Sequence, residues 1–122
     1  MLPRQLRIPR GKPFTAIARS GRTVRGRYAQ LHMCATGRPS SRFSVVVSTK
    51  VSKSAVLRNA LRRRVYEHIR SAHLAAIEPG YDVVVRIVPG ATSAVPATLR
   101  NDVTALLRRA HLLPPYKHDQ RH

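Results

Sequence analysis

The sequence predicts a two-layer α/β sandwich in which helices cover one mixed, four-stranded sheet. Some segments place apolar residues at helical spacing, and others alternate or contain consecutive valines, as strands do. These segments follow one another in the order α-β-β-β-α-β-α, which favours helices layered on a sheet. With 122 residues and 43% apolar content, the chain can form one hydrophobic core but not two. We therefore expect a single domain.

The first part of the chain predicts a basic arm and a short helix. Residues 1–12 are basic and contain prolines, so we expect a flexible N-terminal arm. Pro13 suits the first turn of a helix, because its missing N–H costs nothing there, and Gly21 suits the end of that helix. We place the folded domain at residues 13–113 and expect the tail at residues 114–122 to be disordered.

Three strands are predicted before the central helix and one after it. The extended pattern of Thr23–Cys34 is divided by Gly26 into a short and a longer strand. Arg42–Ser48 contains three consecutive valines, which predicts a strand in a central, doubly covered position. Tyr81–Val88 is predicted as a buried strand, and Pro96–Ala110 as the last helix.

The strongest helical pattern lies in the basic stretch from Ser48 to Arg70. Ser52 or Ser54 is placed to cap its first turn. Only Glu67 interrupts the positive charge, so the polar side repels itself and requires an anionic partner. The residues predicted on the apolar sector are Leu57, Leu61, Val65, Ile69, Ala72 and Ala76, and those on the opposite side are Asn59, Arg63, Tyr66 and Arg70.

The charge of the whole chain indicates a polyanionic partner. There are 23 Lys and Arg against 5 Asp and Glu, a formal net charge of +18. Nucleic acid is favoured over a membrane surface, since the chain has no Trp and two Phe. No apolar run approaches a membrane span of about 20 residues, the N-terminus lacks a secretory signal, and Cys34 is the single cysteine. We expect a cytoplasmic location.

The titratable residues do not predict a catalytic or metal centre in the protein alone. Hydrolysis of a phosphodiester by a protein generally needs clustered carboxylates for paired metals, or a positioned acid and base. The histidines lack the i, i+4 spacing of a helical zinc site, and no Gly-rich phosphate loop occurs. Any chemistry is therefore expected in a partner. The carboxylates, all far apart in sequence, are Glu67, Glu78, Asp82, Asp102 and Asp119.

The stretch Ser48–Glu67, with Arg58-Asn59 followed by Arg62-Arg63, closely resembles the signature of the bacterial ribonuclease P protein subunit. The resemblance extends over roughly residues 4–113. It includes Phe14 in the early helix, the YDVVV strand and the closing LLRRAHLL helix.

The resemblance implies a fold like the second domain of a ribosomal S5 protein, with a left-handed β-α-β crossover through the basic helix. It also implies a subunit that binds the catalytic RNA and the 5′ leader of precursor tRNA, with catalysis and Mg²⁺ in the RNA and no cofactor on the protein. In the family, the leader lies in a cleft between the first helix and the sheet, here called the leader cleft. The residues carried over for the catalytic RNA are Lys50, Lys53, Arg58, Asn59, Arg62 and Arg63, and those for the leader cleft are Phe14, Ile17 and Tyr28.

Two positions depart from the family pattern. Ala60 stands where the family usually has Arg, which removes a cation, and an aromatic residue that the family commonly has near Ala18 is missing. Two roles stay open: Phe14 either packs in the core or stacks on bases, and the Tyr66 ring either stacks on a base or is partly buried.

Two other functions could account for a small basic chain with a cationic helix. A structural ribosomal RNA-binding protein would have the same size and charge. A helix-turn-helix DNA-binding protein fits poorly, because strands flank the basic helix and a groove-reading helix is preceded by a short helix and turn. We therefore expect neither DNA nor a membrane as partner.

Overall fold

The computed structural model describes residues 6–8, 21–91 and 96–114. The predicted N-terminal helix and the tail after residue 114 lie outside these ranges. The elements are β1 (Arg22–Arg25), β2 (Ala29–Ala35), β3 (Arg42–Val47), α1 (Ala55–His68), β4 (Tyr81–Ile87) and α2 (Pro96–Arg109). A π-helical turn (Ile69–His73) and a 3₁₀ turn (Leu74–Ala76) extend α1.

The four strands form one mixed sheet, as predicted, and their order in the sheet is β1-β2-β4-β3. β2 pairs antiparallel with β1 and with β4, whereas β3 and β4 are parallel. Parallel neighbours require a crossover connection, and α1 lies in the connection between them. The left-handed course of this crossover stays a prediction.

The predicted central position of the third strand is wrong, because β3 lies at an edge of the sheet and β4 lies inside it. Val45 and Val47 face the main core, whereas Val46 packs against a small cluster of Ile8 and Val84 on the other side. The backbone N–H of Ile8 donates to the Phe43 carbonyl at 3.0 Å and so covers part of the β3 edge. Both faces of β3 are apolar for this local reason, and three consecutive valines do not distinguish an edge strand from a central one.

The main core lies between the sheet and the two helices. β2 and β4 contribute side chains that are almost fully buried, since both strands are inside the sheet. Their helical partners lie on one side of each helix, as an amphipathic pattern requires. The largest fully buried side chains include Leu31, Phe43, Val65, Ile69, Val83, Val85, Ile87, Val103, Leu106 and Leu107.

The connection between β1 and β2 is fixed by the carboxylate of Asp102 on α2. Its oxygens accept the backbone N–H groups of Tyr28 at 2.8 Å and Ala29 at 3.1 Å. A Cβ atom on Gly26 would lie 2.8 Å from Asp102 Oδ2, so a larger residue would displace the carboxylate from its hydrogen bonds to the backbone. This contact explains the predicted division of the strand at Gly26.

Candidate nucleic-acid interface

The basic helix α1 begins at a serine cap. Ser54 has an extended backbone, and its Oγ accepts the Leu57 N–H at 3.3 Å. Ser52 Oγ accepts the Ser54 N–H at 3.1 Å, so both serines shape the loop before the helix. The cap predicted at Ser52 or Ser54 is therefore Ser54. α1 has no acidic residue in its first turn, which leaves the positive end of the helix dipole without a neutralising side chain.

The cations predicted for RNA binding lie along α1 and its preceding loop, mostly on the surface. Lys50, Lys53 and Arg63 are exposed, as is Asn59. None of the predicted cations is in an ion pair within the described residues, where the two carboxylate pairs are Arg42–Asp82 and Arg70–Glu67. These side chains are therefore available to an external anion.

Two arginines of this surface are held in place by neutral acceptors. Arg58 is half-buried, and its Nη1 donates to the Ser52 carbonyl at 2.9 Å, which joins the helix to the capping loop. Arg62 Nη1 donates to Asn59 Oδ1 at 2.6 Å. A guanidinium has five donors, so each keeps further N–H groups for phosphate oxygens. Ordering before binding reduces the conformational entropy that RNA binding must overcome.

The buried side of α1 differs from the predicted sector. Leu61, Val65 and Ile69 are buried as predicted, but Leu57 is 51% exposed. Tyr66, predicted on the polar side, is only 6% exposed, and its hydroxyl accepts the Val45 N–H at 3.0 Å. The helix is thus rolled toward the β3 edge, because burial of the large Tyr66 ring outweighs that of Leu57. The Tyr66 ring packs in the core and is not a base-stacking surface.

The predicted sector also fails after Ile69, since Ala72 and Ala76 are exposed. The chain there forms a π-helical and then a 3₁₀ turn, so the 100° spacing used for the prediction no longer applies. Arg70 is exposed as predicted, but its Nη2 lies 2.8 Å from Glu67 Oε2. The hydrogen bond from Arg70 is the main cause that lowers the pKa of Glu67 to about 2.

The leader-cleft residues are only partly described. Phe14 and Ile17 lie outside the described ranges. Tyr28 is half-buried between β1 and β2, where it packs against the main core, and the Arg27 guanidinium lies 5.2 Å from its ring centroid. The structure therefore places Tyr28 at one end of the sheet beneath a cation.

A polar row on the outer face of the sheet, the face opposite the helices, was missed by the sequence analysis. Arg25 pairs with Gln30 on β2, and Gln30 pairs with Arg86 on β4. The signal was present, because Gln30 alternates with buried residues and Arg86 interrupts the run of valines in β4. Three strands had to be paired before these residues could be placed side by side.

His32 lies on the same outer face, two residues along β2 from Gln30. Its Nδ1 is 3.0 Å from Thr23 Oγ1, and its Nε2 is buried with no hydrogen-bond partner among the described residues. Burial lowers the pKa of His32, and the nearby charges of Arg86 and Arg25 lower it further.

The described carboxylates mostly serve the fold. Asp82 Oδ1 and Oδ2 accept two hydrogen bonds from the buried Arg42, at 2.8 and 2.6 Å. Asp102 accepts backbone N–H groups, and Glu67 pairs with Arg70. Within residues 6–8, 21–91 and 96–114, no group of three or more His, Cys, Asp or Glu is placed to hold a metal ion. In the same ranges, no helix is long and apolar enough to cross a membrane.

Taken together, the fold and this site define a small α/β protein with a cationic helix suited to the phosphate backbone of a nucleic acid. Comparison with known proteins gives the family. The family model Ribonuclease P matches residues 2–111. The chain belongs to the ribonuclease P protein family.

Relatives and solved structures agree with this assignment. The ribonuclease P protein component of Acidothermus cellulolyticus is 40% identical over 111 residues, which cover 89% of this chain and 91% of that protein. The ribonuclease P protein component of Chloroflexus aurantiacus is 38% identical over 112 residues, covering 91% and 82%. Among solved structures, the ribonuclease P protein of Thermotoga maritima has a TM-score of 0.76 and 27% identity, covering 84% and 96%. That of Staphylococcus aureus has a TM-score of 0.81 and 25% identity, covering 88% and 97%.

Proposed function

We propose that this chain is the protein subunit of ribonuclease P, and that it promotes endonucleolytic removal of the 5′ leader from precursor tRNA. Family membership supports this function over the ribosomal alternative. The observation that carries the proposal is the surface of α1 and its loop, whose cations are exposed or half-buried and have no carboxylate partner among the described residues. Such a surface neutralises phosphate groups and releases their counterions.

The partner of α1 in this proposal is the ribonuclease P RNA. Arg58, Arg62 and Arg63 can each offer two parallel N–H groups to the oxygens of one phosphate, and Lys50 and Lys53 act as point charges beside them. Asn59 orients Arg62 through the 2.6 Å hydrogen bond. Ala60 stands where the family usually has Arg. Arg64, which is exposed on the same helix, supplies a further cation four residues later.

The single-stranded leader of precursor tRNA is the second proposed ligand. Phe14, Ile17 and Tyr28 are the candidates carried over from the family, and the outer face of the sheet adds Arg86, a cation that pairs in register with Gln30. Among the described residues, the main core fills the helix side of the sheet, which favours the outer face for a strand of RNA. Arginines beside polar groups are suited to phosphate and base edges.

The catalytic centre is proposed to lie in the RNA, with Mg²⁺ held by RNA phosphate oxygens. The structural bonds of Asp82, Asp102 and Glu67 support this, because a two-metal centre needs carboxylates directed toward metal ions. The protein would reduce repulsion between two polyanions and so lower the Mg²⁺ concentration that the RNA needs. The proposed location is the cytoplasm, with neither DNA nor membrane as partner.

Reconstitution tests the proposal. The purified chain is added to a bacterial ribonuclease P RNA and precursor tRNA at low Mg²⁺, and cleavage at the mature 5′ end is measured. We expect cleavage to increase with the protein, the RNA alone to cleave at high Mg²⁺, and the protein alone to be inactive at every Mg²⁺ concentration. RNA binding with no stimulation of cleavage would favour the ribosomal alternative, and cleavage by the protein alone would place catalysis in the chain.

A further inference from the structure

A second group of arginines lies at the other edge of the sheet from α1. Arg22 and Arg25 belong to β1, which is an edge strand, and Arg27 follows in the connection to β2. Arg109 ends α2 beside them, and all four side chains are exposed. We refer to Arg22, Arg25, Arg27 and Arg109 as the β1-edge arginines. None of the residues assigned to RNA binding from the sequence lies in this group.

Main-chain carbonyls hold two of these guanidiniums. Arg109 Nη1 donates to the Arg25 carbonyl at 2.9 Å, and Arg22 Nη2 donates to the Ala110 carbonyl at 2.7 Å, near the C-terminal end of α2. These bonds have a structural role, since cations stabilise the negative end of a helix dipole. Each of these two bonds uses one of the five N–H donors of its guanidinium and fixes the direction of the others.

No described carboxylate neutralises this group with an ion pair. The nearest acidic residue in the fold, Asp102, uses its oxygens for the backbone N–H groups of residues 27–29. The ion pairs of the described ranges lie elsewhere, at Arg42–Asp82 and Arg70–Glu67. Four exposed cations without such a counter-charge repel one another, and an anionic ligand relieves that repulsion.

The β1-edge arginines and α1 are separated by α2, which packs against β1, β2 and α1. α1 packs against β3, and three strand spacings separate β3 from β1, a distance of about 14 Å. The screening length at physiological ionic strength is about 8 Å, so the two cationic surfaces act as separate sites.

The chemistry of this second surface fits a phosphate backbone more than unstacked bases. A surface for single-stranded RNA uses exposed aromatic rings. The ring described here, that of Tyr28, is half-buried and lies beneath Arg27. Arg22 is two residues from the core-facing Val24 and therefore shares its face, the helix side of β1. Arg109 ends α2 on that same side, whereas Arg25 lies on the outer face. The group therefore extends around the β1 edge and is not confined to the outer face proposed for the leader.

We infer that the β1-edge arginines form a second RNA-binding surface, which holds a backbone segment of the ribonuclease P RNA other than the segment bound by α1. The inference rests on the proposed function. The protein then joins two parts of one folded RNA, with the sheet as a rigid spacer between them. Loss of either surface weakens assembly, and loss of the β1-edge surface leaves the α1 contact intact.

The test uses full-length Arg25→Gln/Arg109→Gln, which keeps Arg22 and its bond to α2. A control of equal charge change is Arg38→Gln/Arg100→Gln, two exposed arginines outside both surfaces. Affinity for ribonuclease P RNA is measured from low to high salt.

Two lost phosphate contacts reduce the slope of log affinity against log salt by roughly 1.4–1.8 and weaken binding about tenfold near physiological salt. Arg109→Gln also removes the bond to the Arg25 carbonyl, so this variant should melt somewhat below the control, and melting curves must show both variants folded at the temperature of the titration.

An affinity and a slope equal to those of the control would overturn the inference. An unchanged affinity for ribonuclease P RNA, together with a raised KM for precursor tRNA in the assembled complex, would overturn it as well, because the surface would then serve the substrate. The wild-type chain separates this result from the proposed function. If wild type stimulates cleavage and the variant behaves as the control, only the second surface is refuted; if wild type gives no stimulation, both proposals fail.

Discussion

Arg58 and Arg63 show that two cations of one helix can differ in what they do for the fold. Arg63 is exposed, and no bond to another described residue holds it. Arg58 is half-buried and bonds to the Ser52 carbonyl in the capping loop. The sequence pattern predicts both as surface cations, and the bond from Arg58 to the Ser52 carbonyl distinguishes them in the structure.

We therefore expect Arg63→Ala to weaken binding to ribonuclease P RNA while leaving the free energy of unfolding nearly unchanged. Arg58→Ala should weaken RNA binding and also lower the free energy of unfolding by about 1 kcal/mol, through the lost hydrogen bond. Urea denaturation and RNA titration measure the two quantities, with Arg38→Ala as an exposed control. A larger loss of stability in Arg63→Ala than in Arg58→Ala would contradict this assignment.

At the scale of elements, α1 and β3 are joined by packing and by one buried hydrogen bond. Tyr66 reaches from the helix to the strand edge, where its hydroxyl accepts the Val45 N–H. An edge strand presents backbone groups that are not paired within the sheet, and covering them prevents association with other chains. Tyr66 and the Ile8 segment each cover part of the β3 edge.

Tyr66→Phe keeps the ring and removes the acceptor, which leaves the Val45 N–H buried without its partner. We expect the free energy of unfolding to fall by about 1–3 kcal/mol, with RNA affinity unchanged because the ring is buried. The matched control is Tyr81→Phe, whose hydroxyl makes no hydrogen bond within the described residues. Equal stability of the two variants in urea denaturation would show that the Tyr66 bond contributes nothing.

For the whole molecule, a half-buried histidine pair makes stability depend on pH. The π-helical turn brings His68 and His73 together at 4.8 Å between ring centroids, and each Nε2 lies 2.7 Å from Thr104 Oγ1 on α2. One hydroxyl can accept from one neutral imidazole and donate to the other. Protonation of both rings would place two cations side by side near Arg100 and Arg108.

Burial is the main cause that lowers the pKa of both histidines below 6.5 in the folded chain. Their neutral forms therefore stabilise the fold above pH 6.5, and this stability is lost as the pH falls through the lowered pKa values. We expect the melting temperature to fall between pH 7 and pH 5, and His68→Gln/His73→Gln to flatten that fall. His111→Asn, at an exposed position with φ of 62°, is the control. A profile as steep as wild type in the double variant would contradict the prediction.

Much of the fold could be predicted because its signals are local. The element order, the division at Gly26, the cap at Ser54 and the exposed cations of α1 each depend on residues close together in sequence. The position of β3 could not be predicted, because adjacent valines describe what covers a strand and not which strand lies beside it. The direction of Tyr66 likewise depends on where α1 lies relative to β3.

The amino-acid sequence alone is enough to assign the chain to an RNA-binding family, and it shows the net charge of +18 and the basic helix between two strands. Those properties follow from charge and periodicity, which each segment carries alone. Strand pairing is needed to place Arg25 and Arg86 on either side of Gln30, and docking of α2 is needed for Arg109 to bond to the Arg25 carbonyl. Strand pairing and helix docking join residues distant in the chain, so the surfaces beyond α1 exist only once the sheet has formed.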